Sequence, residues 1–67
     1  MNALQRDALG ALASRRSELT ADYPNHWVAV NPRGQAVAAL RFDLLVEEYR
    51  IDPESVVFAF LAAGPWA

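Results

Sequence analysis

The sequence predicts a small α+β domain with the element order α-β-β-α-β, and three observations carry this prediction. An alanine- and leucine-rich N-terminal segment has helical composition, and two apolar runs flank a short turn near the middle of the chain. A second helical stretch then leads into a continuously apolar run rich in β-branched and aromatic residues. Because strand–helix–strand crossovers are right-handed in nearly all proteins, the second and third strands are expected to be parallel. Two sheet orders are compatible with this; the favoured one is 2-1-3, with the first strand in the middle.

The first predicted helix covers residues 2–22. Asn2 is suited to cap its N-terminus, and a single glycine, Gly10, interrupts a run of good helix formers. Gly10 and Ser14 leave open a break into two shorter helices. Pro24 ends the helical region, because the residue before a proline is pushed away from the α conformation.

The two predicted strands of the central hairpin cover residues 26–31 and 35–40. In the turn between them, Asn31 can accept a backbone hydrogen bond, Pro32 presets φ, and Gly34 can adopt positive φ. Alternation of side chains makes both faces of the hairpin apolar, which is not typical of a half-exposed antiparallel sheet. We therefore expect both faces to be covered. The second helix covers one face, and the other needs the first helix, a second chain, or both.

The second predicted helix covers residues 42–50, and the third strand covers residues 55–61. Apolar residues at i, i+3, i+4 and i+7 form a helical stripe that is expected to be buried: Phe42, Leu45, Val46 and Tyr49. Asp43 is suited to be an N-terminal cap or a first-turn acid. An aspartate–proline turn separates the helix from the strand. Residues 1–67 are expected to form one domain, because the chain is too short for two.

Composition narrows the kinds of site that the chain can hold. With no cysteine and one histidine, we expect no disulfide, no metal site and no cofactor. The net charge of −2 argues weakly against nucleic acid as a partner. The sequence has neither a signal-peptide pattern nor an apolar run that could span a bilayer, so a cytoplasmic location without a membrane partner is expected.

Size and apolar content favour association with another chain. A domain of this length buries only about 60% of the surface that its unfolded chain exposes, so its stability alone is marginal. Disulfides, metals and oligomerisation are the usual remedies, and the composition leaves only oligomerisation. Hydrophobic residues make up 54% of the chain, which is high for so small a protein and indicates the same remedy.

Two segments of the chain carry a distinctive pattern. Glu18–Val30 contains a tyrosine, a short polar turn and a Trp-Val-Ala strand, and Ile51–Phe60 contains an Ile-Asp-Pro-Glu turn before an apolar strand. In these features the chain resembles a family of small bacterial proteins known only as a domain of unknown function. The family often has glycine where Asn25 stands, and commonly a longer connection from hairpin to helix. The resemblance implies the strand–strand–helix–strand order and brings no catalytic residues.

The polar candidates for a catalytic site are interpreted as structural residues. His26, the only histidine, has no nucleophile or carboxylate at an informative spacing, so we interpret it as a partly exposed residue at the end of a strand. The acidic residues of the second helix are interpreted as a solvated helix face: Asp43, Glu47 and Glu48. The chain is therefore not expected to be an enzyme.

The expected function is that of a non-enzymatic protein-interaction module, acting as a homodimer or as a small partner subunit. In the favoured order the third strand lies at a sheet edge, where an apolar sequence invites pairing with another strand. The expected interface residues are Val56, Phe58, Phe60, Trp27 and Trp66. The alternative is an antitoxin-like regulator associated with nucleic acid, which would use the arginines of the first helix: Arg6, Arg15 and Arg16.

Overall fold

In the computed structural model, which describes residues 1–63, a three-stranded antiparallel sheet lies between two helices. The elements in chain order are α1 (Ala3–Asp22), β1 (Trp27–Val30), β2 (Ala36–Ala39), α2 (Phe42–Tyr49) and β3 (Val57–Phe60). The sheet order is β2-β1-β3, with β1 antiparallel to both neighbours. The α+β class, the element order and the sheet order are confirmed. Each element is one to three residues shorter than predicted.

Helix α1 is continuous through Gly10 and begins with a capping box. The Asn2 side-chain oxygen accepts a hydrogen bond from the Gln5 backbone N–H at 2.8 Å, and the Gln5 side-chain oxygen accepts one from the Asn2 backbone N–H at 3.2 Å. The same two side chains also donate to the loop before β3. Asn2 donates to the Glu54 carbonyl at 2.8 Å, and Gln5 donates to the Pro53 carbonyl at 3.0 Å.

The face of the sheet beneath α1 holds the main core of the protein. Its buried members come from α1, from β1 and from the residue after β3: Leu12, Leu19, Val28, Val30 and Leu61. Small, partly buried residues complete the layer: Ala11, Ala36, Ala38, Val57 and Ala59. Of the covers that the sequence left open for this face, the first helix of the same chain is the one observed.

The hairpin turn forms as its sequence predicts. Gly34 has φ +82° and donates its N–H to the Asn31 carbonyl at 2.9 Å. The Asn31 side-chain oxygen accepts from the backbone N–H groups of Arg33 (2.9 Å) and Gln35 (3.0 Å). The Arg15 guanidinium donates to the Gly34 carbonyl, which fastens α1 to the turn.

Helix α2 lies over β1 and β2 on the other face of the sheet. Leu45 is buried and Val46 is partly buried, but Phe42 and Tyr49 are 41% and 47% exposed. The prediction that the whole stripe is buried is therefore wrong for its two terminal residues. An eight-residue helix has little more than two turns, so only its middle packs fully on the sheet.

The polar residues around α2 form local contacts. Asp43 lies in the first turn, and its carboxylate accepts from the Arg41 guanidinium at 2.7 Å. Arg41 occupies the N-cap position without a side-chain cap, so the first-turn interpretation of Asp43 is confirmed and the cap interpretation is wrong. At the predicted exit turn, Asp52 accepts from the Glu54 N–H through its side chain and from the Ser55 N–H through its carbonyl.

Candidate interaction surface

Four aromatic side chains meet on the α2 face of the sheet, and we call them the aromatic cluster: Trp27, Phe42, Phe58 and Phe60. The ring of Trp27 lies between those of Phe42 and Phe60, with centroids 5.3 and 5.5 Å away. Phe42 also contacts Phe58, at a centroid distance of 5.0 Å. All three pairs are edge-to-face, which is a favourable arrangement for aromatic quadrupoles.

Strand register accounts for most of this cluster. Trp27 of β1 is paired with Phe60 of β3, and Ala29 is paired with Phe58. Residues two apart on a strand point to the same face, so all three aromatic side chains lie on the side that carries α2. Phe42 is the first residue of α2 and completes the cluster from above.

The cluster is only partly covered. Trp27 and Phe58 are partly buried, whereas Phe42 and Phe60 are 41% and 40% exposed. The cause is the position of α2, whose backbone lies over β1 and β2 rather than over β3. Leu40 and Leu44, which lie two residues before and after Phe42 in the sequence, are exposed as well. Aromatic surface that a monomer would ordinarily bury is thus presented to solvent beside β3.

The outer edge of β3 exposes alternate backbone groups. The Leu61 N–H donates to the His26 carbonyl at 2.9 Å, so in an antiparallel ladder the odd-numbered residues of β3 direct their backbone groups toward β1. The backbone groups of Val56, Phe58 and Phe60 consequently point outward, and we call these three residues the β3 edge. The Phe60 carbonyl also accepts from the Ala62 N–H at 3.2 Å.

An open cavity of about 390 Å³ extends the α2 face toward the hairpin turn. Its walls are mostly apolar and come from β1, from β2, from α2 and from the segment before β3: Ala29, Ala36, Val37, Tyr49, Ile51 and Val56, with the amides of Asn31 and Gln35 at one end. The Asn31 amide donates to the Gln35 side-chain oxygen at 2.8 Å, so the two polar side chains bind each other. Val56 belongs both to this cavity and to the β3 edge.

The structure brings most of the sequence-predicted interface residues together. Trp27, Phe58 and Phe60 belong to the aromatic cluster, and Val56 lies beside it on the β3 edge. Trp66 lies outside the residues that the structure describes. Phe42 was not predicted as an interface residue, because its helical spacing assigned it to a buried stripe. The signal that could have found it is its position at the very start of a short helix.

His26 lies immediately before β1 and is partly exposed, as predicted. Its Nδ1 is 2.8 Å from the Pro24 carbonyl, and because a carbonyl only accepts, Nδ1 carries the proton of this hydrogen bond. Its ring lies edge-on to Tyr23 at a centroid distance of 6.0 Å. Among residues 1–63, no group of three histidine or carboxylate side chains is arranged to hold a metal ion.

The arginines of α1 differ in their contacts. Arg15 forms an ion pair with Glu18 at 3.1 Å and donates to the Gly34 carbonyl. Arg6 and Arg16 are exposed. Arg15 thus has intramolecular partners, and a nucleic acid would have to displace them in order to bind it.

Comparison of the chain with protein-family models, curated proteins and solved structures gives no match. The resemblance to a small bacterial family therefore stays a prediction. Within residues 1–63, neither helix has the length and apolar character needed to cross a membrane.

Proposed function

We propose that this chain is a non-enzymatic protein-interaction module that works as a homodimer, with the aromatic cluster and the β3 edge as its contact surface. The observation that carries the proposal is the coincidence of the two features. Half-exposed aromatic rings lie directly beside a strand edge, and the segment Ser55–Leu61 contains no charged residue.

Both features are costly for a monomer and useful in an interface. Aromatic side chains are enriched in the buried centres of protein interfaces, where they contribute large contact areas. Proteins ordinarily protect their edge strands with lysines, prolines or bulges, because an open edge pairs readily with another strand. Association would also stabilise a small domain by mass action, since only the folded chain presents this surface.

Two alternative functions are supported less well. The same surface would serve a small partner subunit that pairs with a different protein. A regulator associated with nucleic acid is disfavoured by the net charge of −2 and by the intramolecular contacts of Arg15.

Sedimentation equilibrium at tens of micromolar tests the proposal. We expect a mass twice that of the 7.4 kDa chain, falling toward the single-chain mass on dilution. Phe60→Ala should weaken the association, because it removes exposed aromatic surface. Leu4→Ala should leave it unchanged, because Leu4 is an exposed apolar residue of α1, away from the aromatic cluster. A single-chain mass over the whole concentration range would contradict the homodimer, and retention of that monomer by DNA or RNA at low salt would support the nucleic-acid role instead.

A further inference from the structure

The backbone of the β3 edge restricts how a second copy can bind. We infer that two copies join through antiparallel pairing of their β3 strands, centred on Phe58, and so form one six-stranded sheet. This inference rests on the proposed homodimer and specifies its geometry.

The outward-pointing backbone groups select the register. With Phe58 opposite Phe58 of the second copy, Val56 lies opposite Phe60, so every residue of the β3 edge meets another member of the β3 edge. A register centred on Val57 would place Phe60 opposite Glu54, in the loop before the strand. A register centred on Ala59 would place Val56 opposite Ala62, which lies beyond the end of β3.

The other sheet edge is a poorer site for a second copy. Arg33 precedes β2 and Arg41 follows it, so a strand added at this edge would meet charged side chains at both ends of the pairing. Segment Ser55–Leu61 brings no charged residue to the corresponding pairing of β3.

The position of α1 permits the β3 pairing and adds a contact to it. Helix α1 packs over β1 and β3, so the axes of the two α1 helices would be two strand spacings apart, about 10 Å. Packed helices lie about 8–10 Å apart. The two helices would therefore touch across the symmetry axis without a clash.

Two exposed residues of α1 lie where the helices would meet. The helix begins beside Glu54, before β3, and ends near Ala63, after it, so the middle of α1 is level with Phe58. On the β3 flank of the helix, an open groove is exposed to solvent, and its walls include Ala13, Arg16, Thr20 and Ala63. Leu9 lies one helical turn before Ala13 and is also exposed. The small side chain of Ala13 would let the helices approach, and Leu9 would be buried beside it.

Single-cysteine variants test the helix contact, because the natural chain has no cysteine. Under mild oxidation, Ala13→Cys should form a disulfide-linked dimer about tenfold faster than Ser14→Cys, since only residue 13 comes within disulfide reach of its own copy. Both positions are exposed on α1, so both variants should fold. Equal cross-linking rates would overturn the inference.

A pair of lysine variants tests the strand contact. Phe60 and Phe42 are 40% and 41% exposed, and both pack edge-to-face on Trp27. Phe60→Lys should raise the dimer dissociation constant by about tenfold or more, because it places a charge within the paired strands. Phe42→Lys should have a much smaller effect, because Phe42 contacts Phe58 through its ring alone and its backbone takes no part in the strand pairing.

The outcomes separate the inference from the proposed function. If both lysine variants dissociate the dimer equally, the copies stack through their aromatic faces; the homodimer then stands and the strand pairing is wrong. If neither variant affects a stable dimer, the contact lies elsewhere, and both the surface and the strand pairing are wrong. If the unmodified chain is a monomer, the homodimer and the strand pairing fail together.

Discussion

The α1 face of the sheet is covered by a helix of 20 residues, whereas the α2 face is crossed by a helix of eight. Helices of these lengths span about 30 Å and about 12 Å respectively. The long helix encloses an aliphatic core in which Leu19, Val28 and Leu61 are fully buried. The short one buries Leu45 but leaves Phe42 and Phe60 substantially exposed.

The side chains of the two faces match this difference in cover. Aliphatic and alanine residues pack closely under α1, and such packing contributes most of the stability of a small domain. Large aromatic rings lie on the open face, where each can still bury further area against a partner. The proposed function assigns stability mainly to the α1 face and binding mainly to the α2 face. Mutations on the two faces should therefore differ in what they damage.

Leu19→Ala is expected to have the largest effect on stability. Leu19 is 1% exposed, and truncation of a buried leucine costs about 2–5 kcal/mol, which is comparable to the total stability of a small domain. Urea denaturation followed by circular dichroism, at one fixed protein concentration, measures the change. Leu4 is a matched control because it is 52% exposed on the same helix, and Leu4→Ala should change stability by no more than about 0.5 kcal/mol. Equal costs at the two positions would show that the α1 face is not the main core.

Local patterns made much of the fold predictable. The turn chemistry of Asn31 and Gly34 determined the hairpin register, and the crossover rule favoured the sheet order. Alternation of side chains placed Trp27 on one face and Val28 on the other. These inferences succeed because each depends on residues close in sequence or on a general rule of chain connection.

Other features depend on contacts that no local pattern encodes. The sequence left the cover of the Val28 face open, because helix and partner chain are equally compatible with an apolar strand. The exposure of Phe42 follows from where α2 lies across the sheet, and helical periodicity does not specify that position. The hydrogen bond from Asn2 to the Glu54 carbonyl joins residues 52 apart in the chain. The sequence around either residue predicts only contacts with its near neighbours.

Phe42→Ala should be less destabilising than Leu19→Ala. Phe42 is 41% exposed, so truncation removes only part of a buried side chain, and we expect a loss of about 1–2 kcal/mol. The same denaturation experiment at the same protein concentration measures it. In contrast to Phe60→Lys, this variant should keep most of its self-association. A loss as large as that of Leu19→Ala would mean that the aromatic cluster is a second core and not a surface held ready for a partner.

The smallest expected effect concerns the hydrogen bond that attaches the start of α1 to the loop before β3. Asn2→Ala removes the helix cap and the bond to the Glu54 carbonyl, and loss of an N-cap typically costs about 1 kcal/mol. Asn2→Ser separates the two contributions, because serine can cap the helix but is too short to replace the amide donor. Hydrogen exchange at single-residue resolution should show faster exchange in the first turn of α1 for Asn2→Ala. In Asn2→Ser the faster exchange should be confined to the loop before β3. If neither variant changes the hydrogen-exchange rates of that loop, α1 is held on the sheet by side-chain packing alone. The difference between the two faces then depends only on helix length and core composition.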